Sequence, residues 1–184
     1  MFLILFVKKL NKELHFCINY WILNVIMIWN QYSIFLIQET LDQFLKTWFF
    51  TKLDIIHTFN QIHICEDDEK YTAFWTRWKL FEQFMMSFNL KNEFSIFQHY
   101  INNMLHEFLD VFVMIYINNI LIYLNFLSEH QKHIQLILKQ LWEADLQCDI
   151  WKYKFHANEV MYFDLIVFQE KIKMNSTKIE IIIN

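Results

Sequence analysis

The chain has 184 residues, 55% of them hydrophobic, and a formal net charge of −4 at pH 7. This length suits one domain, or two small packed subdomains, with a substantial core. The negative net charge is unlike that of many nucleic-acid-binding proteins, which are basic. No apolar run reaches the roughly 18 residues of a membrane-spanning helix, so the sequence predicts a protein that does not span a membrane.

The N-terminal half contains both strand-like and helical patterns. Apolar residues at 34, 37, 41 and 44 have the spacing of one helix face, whereas the run 49–54 is strand-like and ends on Asp54. The predicted elements are, in order, strands at 1–7 and 14–20, a helix at 34–44, a strand at 49–54, and segments 61–65 and 71–76 on either side of a solvated acidic turn at 66–69.

The C-terminal half adds two helices and several short strands. The first helix is predicted from apolar residues on one face between Phe94 and Phe108. The second is predicted to begin at a capping box made by Ser128 and Gln131. The other predicted elements are a hairpin within 111–123 and short strands at 146–150, 160–168 and 171–174. Taken together, these elements predict an α+β fold.

The cysteines and two neighbouring histidines do not indicate a metal centre. Cys17, Cys65 and Cys148 lack the paired spacing of a zinc site, so we expect reduced thiols in an intracellular protein, cytoplasmic or nuclear, rather than a secreted one. His130 and His133 stand three apart, as ligands on a helix can, but no second pair follows. We therefore expect both to be solvated.

A hairpin is predicted from two apolar runs, 111–117 and 120–123, separated by Asn118-Asn119. Asparagine tolerates the left-handed conformation that such a turn needs. Taken alone, this stretch indicates a hairpin and nothing more. A second segment, the strand that ends on Asp54 further upstream in the sequence, changes the interpretation, because together the two segments outline a polymerase palm.

Short segments along nearly the whole chain follow one characteristic order. They are Leu5-Phe6-Val7-Lys8-Lys9, Cys17-Ile18-Asn19-Tyr20, Leu36-Ile37-Gln38-Glu39-Thr40-Leu41-Asp42, the strand ending on Asp54, Tyr71-Thr72-Ala73-Phe74, Phe97-Gln98, the hairpin, Glu129-His130 and Phe155-His156. In this order they resemble the reverse transcriptase of gypsy-type LTR retrotransposons. The resemblance implies a fingers-and-palm fold in which the thumb is largely absent.

The same resemblance implies a division of the chain. The whole of 1–184 would be a reverse transcriptase domain, and other segments of the Pol polyprotein would be missing from this chain. The implied parts are fingers at about 1–30 and 62–90, palm at about 31–61 and 91–170, and the start of the connection to a missing thumb at 171–184.

The implied catalytic positions are Asp54, Asn118 and Asn119. The family's signature at the hairpin is Tyr-x-Asp-Asp, and this chain has Tyr116-Ile117-Asn118-Asn119 instead. A palm uses two magnesium ions for nucleotidyl transfer, and Mg²⁺ prefers oxygen ligands such as carboxylates. Asp54 is the metal-binding carboxylate that remains. We therefore expect Mg²⁺ binding to be weak or lost and polymerase activity to be negligible.

The resemblance also implies residues that bind the substrates, which would be dNTP and an RNA or DNA template–primer. Lys8 matches the fingers lysine that holds the triphosphate, His15 stands where a guanidinium is expected, and Phe59 matches the aromatic residue under the incoming sugar. The implied primer-grip residues are Tyr162, Phe163 and Asp164. Because His15 is mostly neutral at pH 7 and Asp164 replaces a glycine, we expect weakened binding.

Composition suggests how these departures arose. The chain has no glycine and no proline, against usual contents of roughly 7% and 5%. Asn89 and Asp164 stand where the family has glycine, and nearly all such changes are reachable by C-to-T and G-to-A transitions. A non-glycine residue forced to positive φ costs about 1 kcal/mol or more. The pattern predicts a retroelement copy degraded by transition mutation.

Three interpretations remain open at this point. The chain is a working polymerase domain that relies on Asp54, a decayed domain that keeps the palm pattern without catalysis, or a non-enzymatic protein, hydrophobic or membrane-associated, whose likeness to the family has no structural meaning. The genomic flank separates them most cheaply, because remnants of protease, RNase H or integrase would establish descent.

Overall fold

A computed structural model describes residues 2–8, 14–32, 47–56, 58–162, 165–168 and 171–174. The chain divides into two compact units. The first unit comprises 1–33 and 57–99, and the second comprises 34–56 and 100–184. No helix in the described ranges is long and apolar enough to cross a membrane.

Helices and antiparallel strands occur in separate runs along the chain, as is typical of an α+β protein. In chain order they are β1 (Ile4–Lys8), β2 (Leu14–Ile18), α1 (Trp21–Ile26), β3 (Phe49–Asp54), two 3₁₀ helices (Thr58–Gln61 and Glu69–Thr72), β4 (Phe74–Trp75), β5 (Leu80–Phe81), α2 (Glu93–Met104), β6 (Val113–Tyr116), β7 (Asn119–Leu124), α3 (Leu127–Glu143), a 3₁₀ helix (Ile150–Lys152), β8 (Lys154–Ala157), β9 (Glu159–Tyr162), β10 (Leu165–Phe168) and β11 (Lys171–Met174).

The first unit is built on two small antiparallel ribbons, β1–β2 and β4–β5. Its core is a cluster of buried side chains from β2, the following loop, β4 and the segment before α2, namely Ile18, Tyr20, Phe74, Met86 and Leu90. The Tyr20 hydroxyl donates a hydrogen bond to the carbonyl oxygen of Thr72 over 3.1 Å. Burial raises the pKa of this hydroxyl, so the hydrogen bond joins neutral groups.

The second unit contains a four-stranded antiparallel sheet in the order β6-β7-β3-β8. Because side chains alternate along a strand, β3 presents Phe50 to one face and Thr51 to the other. Phe50 lies in a buried cluster with Val160 of β9 and Val167 of β10. On the opposite face, the Thr51 hydroxyl contacts His130 of α3. The sheet is therefore covered on both faces, and β7 is accordingly almost continuously apolar after Asn119.

Several predicted elements are present with altered bounds. β3 and the two hairpin strands form, but the hairpin turn is Ile117-Asn118 rather than Asn118-Asn119, because Tyr116 pairs with Asn119. The segment 160–168 is two strands rather than one, and 171–174 is a strand as predicted. The predicted helix at 34–44 lies outside the described residues.

Other predictions from the sequence were wrong. α3 begins at Leu127 with Phe126 as its N-cap and no side-chain cap hydrogen bond, so the capping box at Ser128 does not form. Residues 69–72 are a 3₁₀ helix, so a helical turn covers the end of the predicted acidic turn and the start of the predicted segment 71–76. The helix α1 was not predicted, because it lacks a buried face and so has no amphipathic pattern.

Candidate active site

The pairing of β3 with β7 brings the end of one strand to the tip of the hairpin. In the antiparallel register, Asp54 is opposite Asn119. One residue further, the backbone N–H of Ile55 donates to the carbonyl oxygen of Asn118 over 2.8 Å. The structure thus brings Asp54, Asn118 and Asn119 together, and the two strands are held in register by buried apolar pairs such as Leu53 with Ile120.

The hairpin tip has a strained backbone and an internally paired amide. Ile117 has a φ of 53°, in the left-handed region where a β-branched residue is an outlier and where the cost is about 1–2 kcal/mol. The Nδ2 group of Asn119 donates to Oδ1 of Asn118 over 2.9 Å. The two side-chain amides at the hairpin tip therefore bind each other, and the Asn118 amide oxygen already accepts one hydrogen bond.

Asp54 is largely buried and forms an ion pair. Its residue is 8% exposed, and its Oδ1 lies 3.3 Å from Nζ of Lys152. Lys152 also lies 3.5 Å from a carboxylate oxygen of Asp149, and the backbone N–H of Asp149 donates to the carbonyl oxygen of Asp54 over 2.9 Å. Sequence reasoning missed Lys152 because nothing in the order of the residues places it beside β3.

A cavity of about 280 Å³ adjoins this ion pair. Three of its lining side chains are lysines and three are large aromatic or thioether groups, and the full set is Lys52, Asp54, Trp151, Lys152, Tyr153, Lys154 and Met161. Lys52 and Lys154 are directly opposite each other in the β3–β8 pairing. Like charges at such positions repel, so the cavity is a locally basic place in an acidic protein.

The donor groups at this site do not fit a pair of magnesium ions. Mg²⁺ requires oxygen ligands in a near-octahedral arrangement, and carboxylates usually supply the negative charge. Asp54 is engaged with Lys152, and Asn118 and Asn119 carry no charge. No group of three or more His, Cys, Asp or Glu side chains that could hold a metal ion occurs in the part of the chain that the structure describes.

The predicted nucleotide-binding residues all lie in the first unit. Lys8 is exposed at the end of β1, opposite Leu14, and the next pair in the register joins His15 to Val7. Phe59 is half-buried in a 3₁₀ helix, with its ring centroid 5.5 Å from that of Phe94. Phe59 therefore has a packing role in the first unit, whatever else it contacts.

Of the predicted primer-grip residues, Tyr162 is described, and Phe163 and Asp164 lie outside the described residues. Tyr162 ends β9 and is buried in the cluster around Phe50. Burial raises the pKa of its hydroxyl. The preceding carbonyl oxygen, of Met161, accepts a hydrogen bond from Nζ of Lys52 over 3.2 Å. This contact ties the end of β9 to β3, the strand that carries Asp54.

His130 is buried, so the prediction that it is solvated was wrong. It is fully enclosed, with Nε2 placed 2.9 Å from the Thr51 hydroxyl and its ring centroid 5.2 Å from that of His156. Burial, with smaller effects from His156 and His133, lowers the pKa of His130 to about 4. His133 is also partly buried, since its ring stacks on Phe112 at a centroid distance of 3.9 Å.

Comparison with known proteins agrees with this arrangement of strands and hairpin. The family described as reverse transcriptase (RNA-dependent DNA polymerase) matches residues 4–179. An RNA-directed DNA polymerase homolog of Oenothera berteroana is 35% identical over 141 residues, which are 74% of this chain and 99% of that protein. The retrovirus-related Pol polyprotein from transposon 297 of Drosophila melanogaster is 33% identical over 91% of this chain, which spans 16% of that polyprotein.

Solved structures give the same fold at low sequence identity. The foamy viral protease–reverse transcriptase in complex with double-stranded DNA aligns with all of this chain and 32% of its own, with a TM-score of 0.89 and 18% identity. Its complex with an RNA/DNA hybrid aligns with all of this chain and 24% of its own, with a TM-score of 0.83. This agreement confirms the fingers-and-palm fold and disfavours a likeness without structural meaning. The chain therefore belongs to the reverse transcriptase (RNA-dependent DNA polymerase) family.

Proposed function

We propose that this chain is a reverse transcriptase domain of a gypsy-type retrotransposon Pol polyprotein that no longer polymerises. The single observation that carries the proposal is the juxtaposition of Asp54 with Asn118 and Asn119 across β3 and β7. The strands of a palm are in place, but two of the three positions that carry aspartate in the family are amides.

The lost charge is large enough to decide the outcome. Reverse transcriptases generally use divalent metal ions, and in this chain the site falls from three carboxylates to one. A carboxylate and Mg²⁺ about 4 Å apart attract by roughly 8 kcal/mol at an effective dielectric of 20, before desolvation is subtracted. Even a net loss of about 4 kcal/mol in the transition state slows a reaction roughly a thousandfold. We infer that Mg²⁺ binding is lost or too weak for catalysis.

The assignment of substrates is also a proposal. The fingers would be about 1–30 and 62–90, which lie within the first unit, and the palm would be about 31–61 and 91–170. Lys8, His15 and Phe59 would face the dNTP, and the primer grip would lie at Tyr162, Phe163 and Asp164. The foamy viral enzyme was solved with double-stranded DNA and with an RNA/DNA hybrid, which supports a template–primer as the partner here. Binding would be weakened by His15 and Asp164.

Backbone geometry supports the idea of a degraded copy. Asn89, which stands where the family has glycine, has a φ of 80°, a conformation that glycine adopts at no cost. Its backbone N–H donates to the Glu93 carboxylate over 2.6 Å, which holds the loop in that conformation. Mutation of a glycine codon would leave a non-glycine residue in a glycine-like conformation, as Asn89 is here.

The proposal is tested with one protein sample and two measurements. Fluorescence anisotropy with a labelled RNA/DNA hybrid carrying a recessed primer end measures binding, and gel electrophoresis after addition of dNTP and Mg²⁺ measures extension. We expect salt-sensitive binding and no extension. Absence of binding at low salt would contradict the assignment of a template–primer partner, and extension at more than background would contradict the loss of catalysis.

A further inference from the structure

The ammonium of Lys152 lies against the carboxylate of Asp54. It is 3.3 Å from Oδ1 of Asp54 and 3.5 Å from Oδ2 of Asp149, so it bridges two carboxylates. The Asp54 side chain is 12% exposed and that of Lys152 is 57% exposed. The lysine therefore reaches from the surface towards an acidic group that is nearly enclosed by protein.

The segment before β8 fixes Lys152 in this position. Asp149 caps the 3₁₀ helix Ile150–Lys152 by accepting the backbone N–H of Trp151 over 3.1 Å. Its own backbone N–H is bonded to the Asp54 carbonyl oxygen. One turn of helix, anchored at both its cap and the end of β3, thus delivers the lysine to the carboxylate, and the charge of Asp149 helps to hold it there.

We propose that Lys152 is the resident cation of this site. Its ammonium takes the place of a divalent ion at Asp54 and balances the charge of that carboxylate without a metal. The inference rests on the proposed function, since it takes Asp54 as the former metal ligand. The net charge of Asp54, Asp149 and Lys152 is −1. The mutual hydrogen bond of Asn118 and Asn119 adds no charge, so little attraction for a divalent ion is left.

Lys152 also affects whether metal binding can be restored at this site. Restoring aspartate at 118 and 119 returns two charges, but a metal ion must still displace Lys152 from Asp54. Metal affinity in the repaired chain is therefore limited by Lys152. Lys154 provides a matched control, because it lines the same cavity and carries the same charge, but it makes no ion pair with a carboxylate of the described residues.

The test compares Lys152→Gln with Lys154→Gln, each in the Asn118→Asp, Asn119→Asp background, and measures Mn²⁺ binding by electron paramagnetic resonance. Both variants remove one positive charge near the site, so the difference between them isolates the direct contact with Asp54. We expect Lys152→Gln to tighten Mn²⁺ binding about tenfold, which corresponds to ~1.4 kcal/mol, and Lys154→Gln to change it far less. Equal effects of the two substitutions would overturn the proposal.

A second measurement uses the unrepaired chain and does not depend on metal binding. Lysine acylation is followed residue by residue by mass spectrometry in the wild type and in Asp54→Asn, with Lys154 as the internal reference. Loss of the Asp54 charge should raise acylation of Lys152 relative to Lys154 by roughly twofold or more, because only Asp149 then forms an ion pair with the amine. An unchanged ratio would contradict the ion pair itself. Neither test uses primer extension, so both are independent of whether the wild type polymerises.

Discussion

Acid should destabilise this protein through His130, and the variant His130→Gln should show by how much. The folded state holds His130 neutral, since burial lowers its pKa from 6.5 to about 4. The unfolded chain takes up a proton below pH 6.5, whereas the folded chain does not until about pH 4. The stabilising effect of a neutral His130 is therefore complete above pH 6.5 and is lost progressively as the pH falls to 4.

The magnitude follows from the difference of about 2.5 pKa units. At 1.36 kcal/mol for each unit, His130 contributes roughly 3 kcal/mol to the pH dependence of unfolding. That is a large share of a typical domain stability of about 5–15 kcal/mol. The glutamine side chain can keep a hydrogen bond to the Thr51 hydroxyl, but it does not titrate.

The assay is urea unfolding followed by circular dichroism at several pH values. The free energy of unfolding of wild type minus that of His130→Gln should fall by about 3 kcal/mol between pH 7 and pH 4. Subtracting the two free energies of unfolding cancels the contribution of carboxylates that titrate equally in both proteins. His106→Gln, at an exposed position, controls for loss of a histidine as such. A wild-type advantage that stays constant over this range would show that the folded protein does not lower the pKa of His130.

Three further predictions concern the site and the loop before α2. The double reversion Asn118→Asp, Asn119→Asp should bind Mn²⁺ more tightly in calorimetry yet extend primers barely above background, since Lys152, His15 and the glycine-less loops remain; robust extension would mean that only the metal site is broken. Asn89→Gly should raise the free energy of unfolding by up to about 1 kcal/mol, and with it the melting temperature, because φ is 80° at that position; a lower melting temperature would show that Asn89 is not strained there. Glu93→Gln should stabilise the protein above pH 7 and lose this advantage as the pH falls towards 4.5, because burial raises the pKa of Glu93 to about 7 and the charged form is the one disfavoured in the fold; urea unfolding at pH 8 and pH 4.5 checks both the sign and the window.

Elements with a local sequence pattern could be predicted from the sequence itself, whereas their arrangement was predicted from the resemblance to the family. The hairpin strands β6 and β7 are apolar runs on either side of a short polar turn, so their existence was predictable. The exact turn was not, because the pairing of Tyr116 with Asn119 places the left-handed residue at Ile117, against its intrinsic preference. Tertiary pairing overrode local propensity there.

Two site features depended on contacts between distant parts of the chain. His130 could have been recognised as buried, because it shares the α3 face of Ile134, Ile137 and Leu141, all of which are buried. Lys152 could not, since its contact with Asp54 spans 98 residues and is created by the pairing of β3 with β8. A lysine side chain is usually solvent-exposed, and the sequence around Lys152 does not indicate an ion pair with Asp54.

The loss of catalysis is tested most directly by single-turnover primer extension with Mg²⁺, in which wild type and Asp54→Asn are compared on the same RNA/DNA hybrid at saturating protein. We expect both proteins to bind the hybrid and neither to add a nucleotide above background, because the amides at 118 and 119 have already removed the metal site. Incorporation by the wild type that disappears in Asp54→Asn would contradict this expectation, since the one remaining carboxylate would then suffice for catalysis.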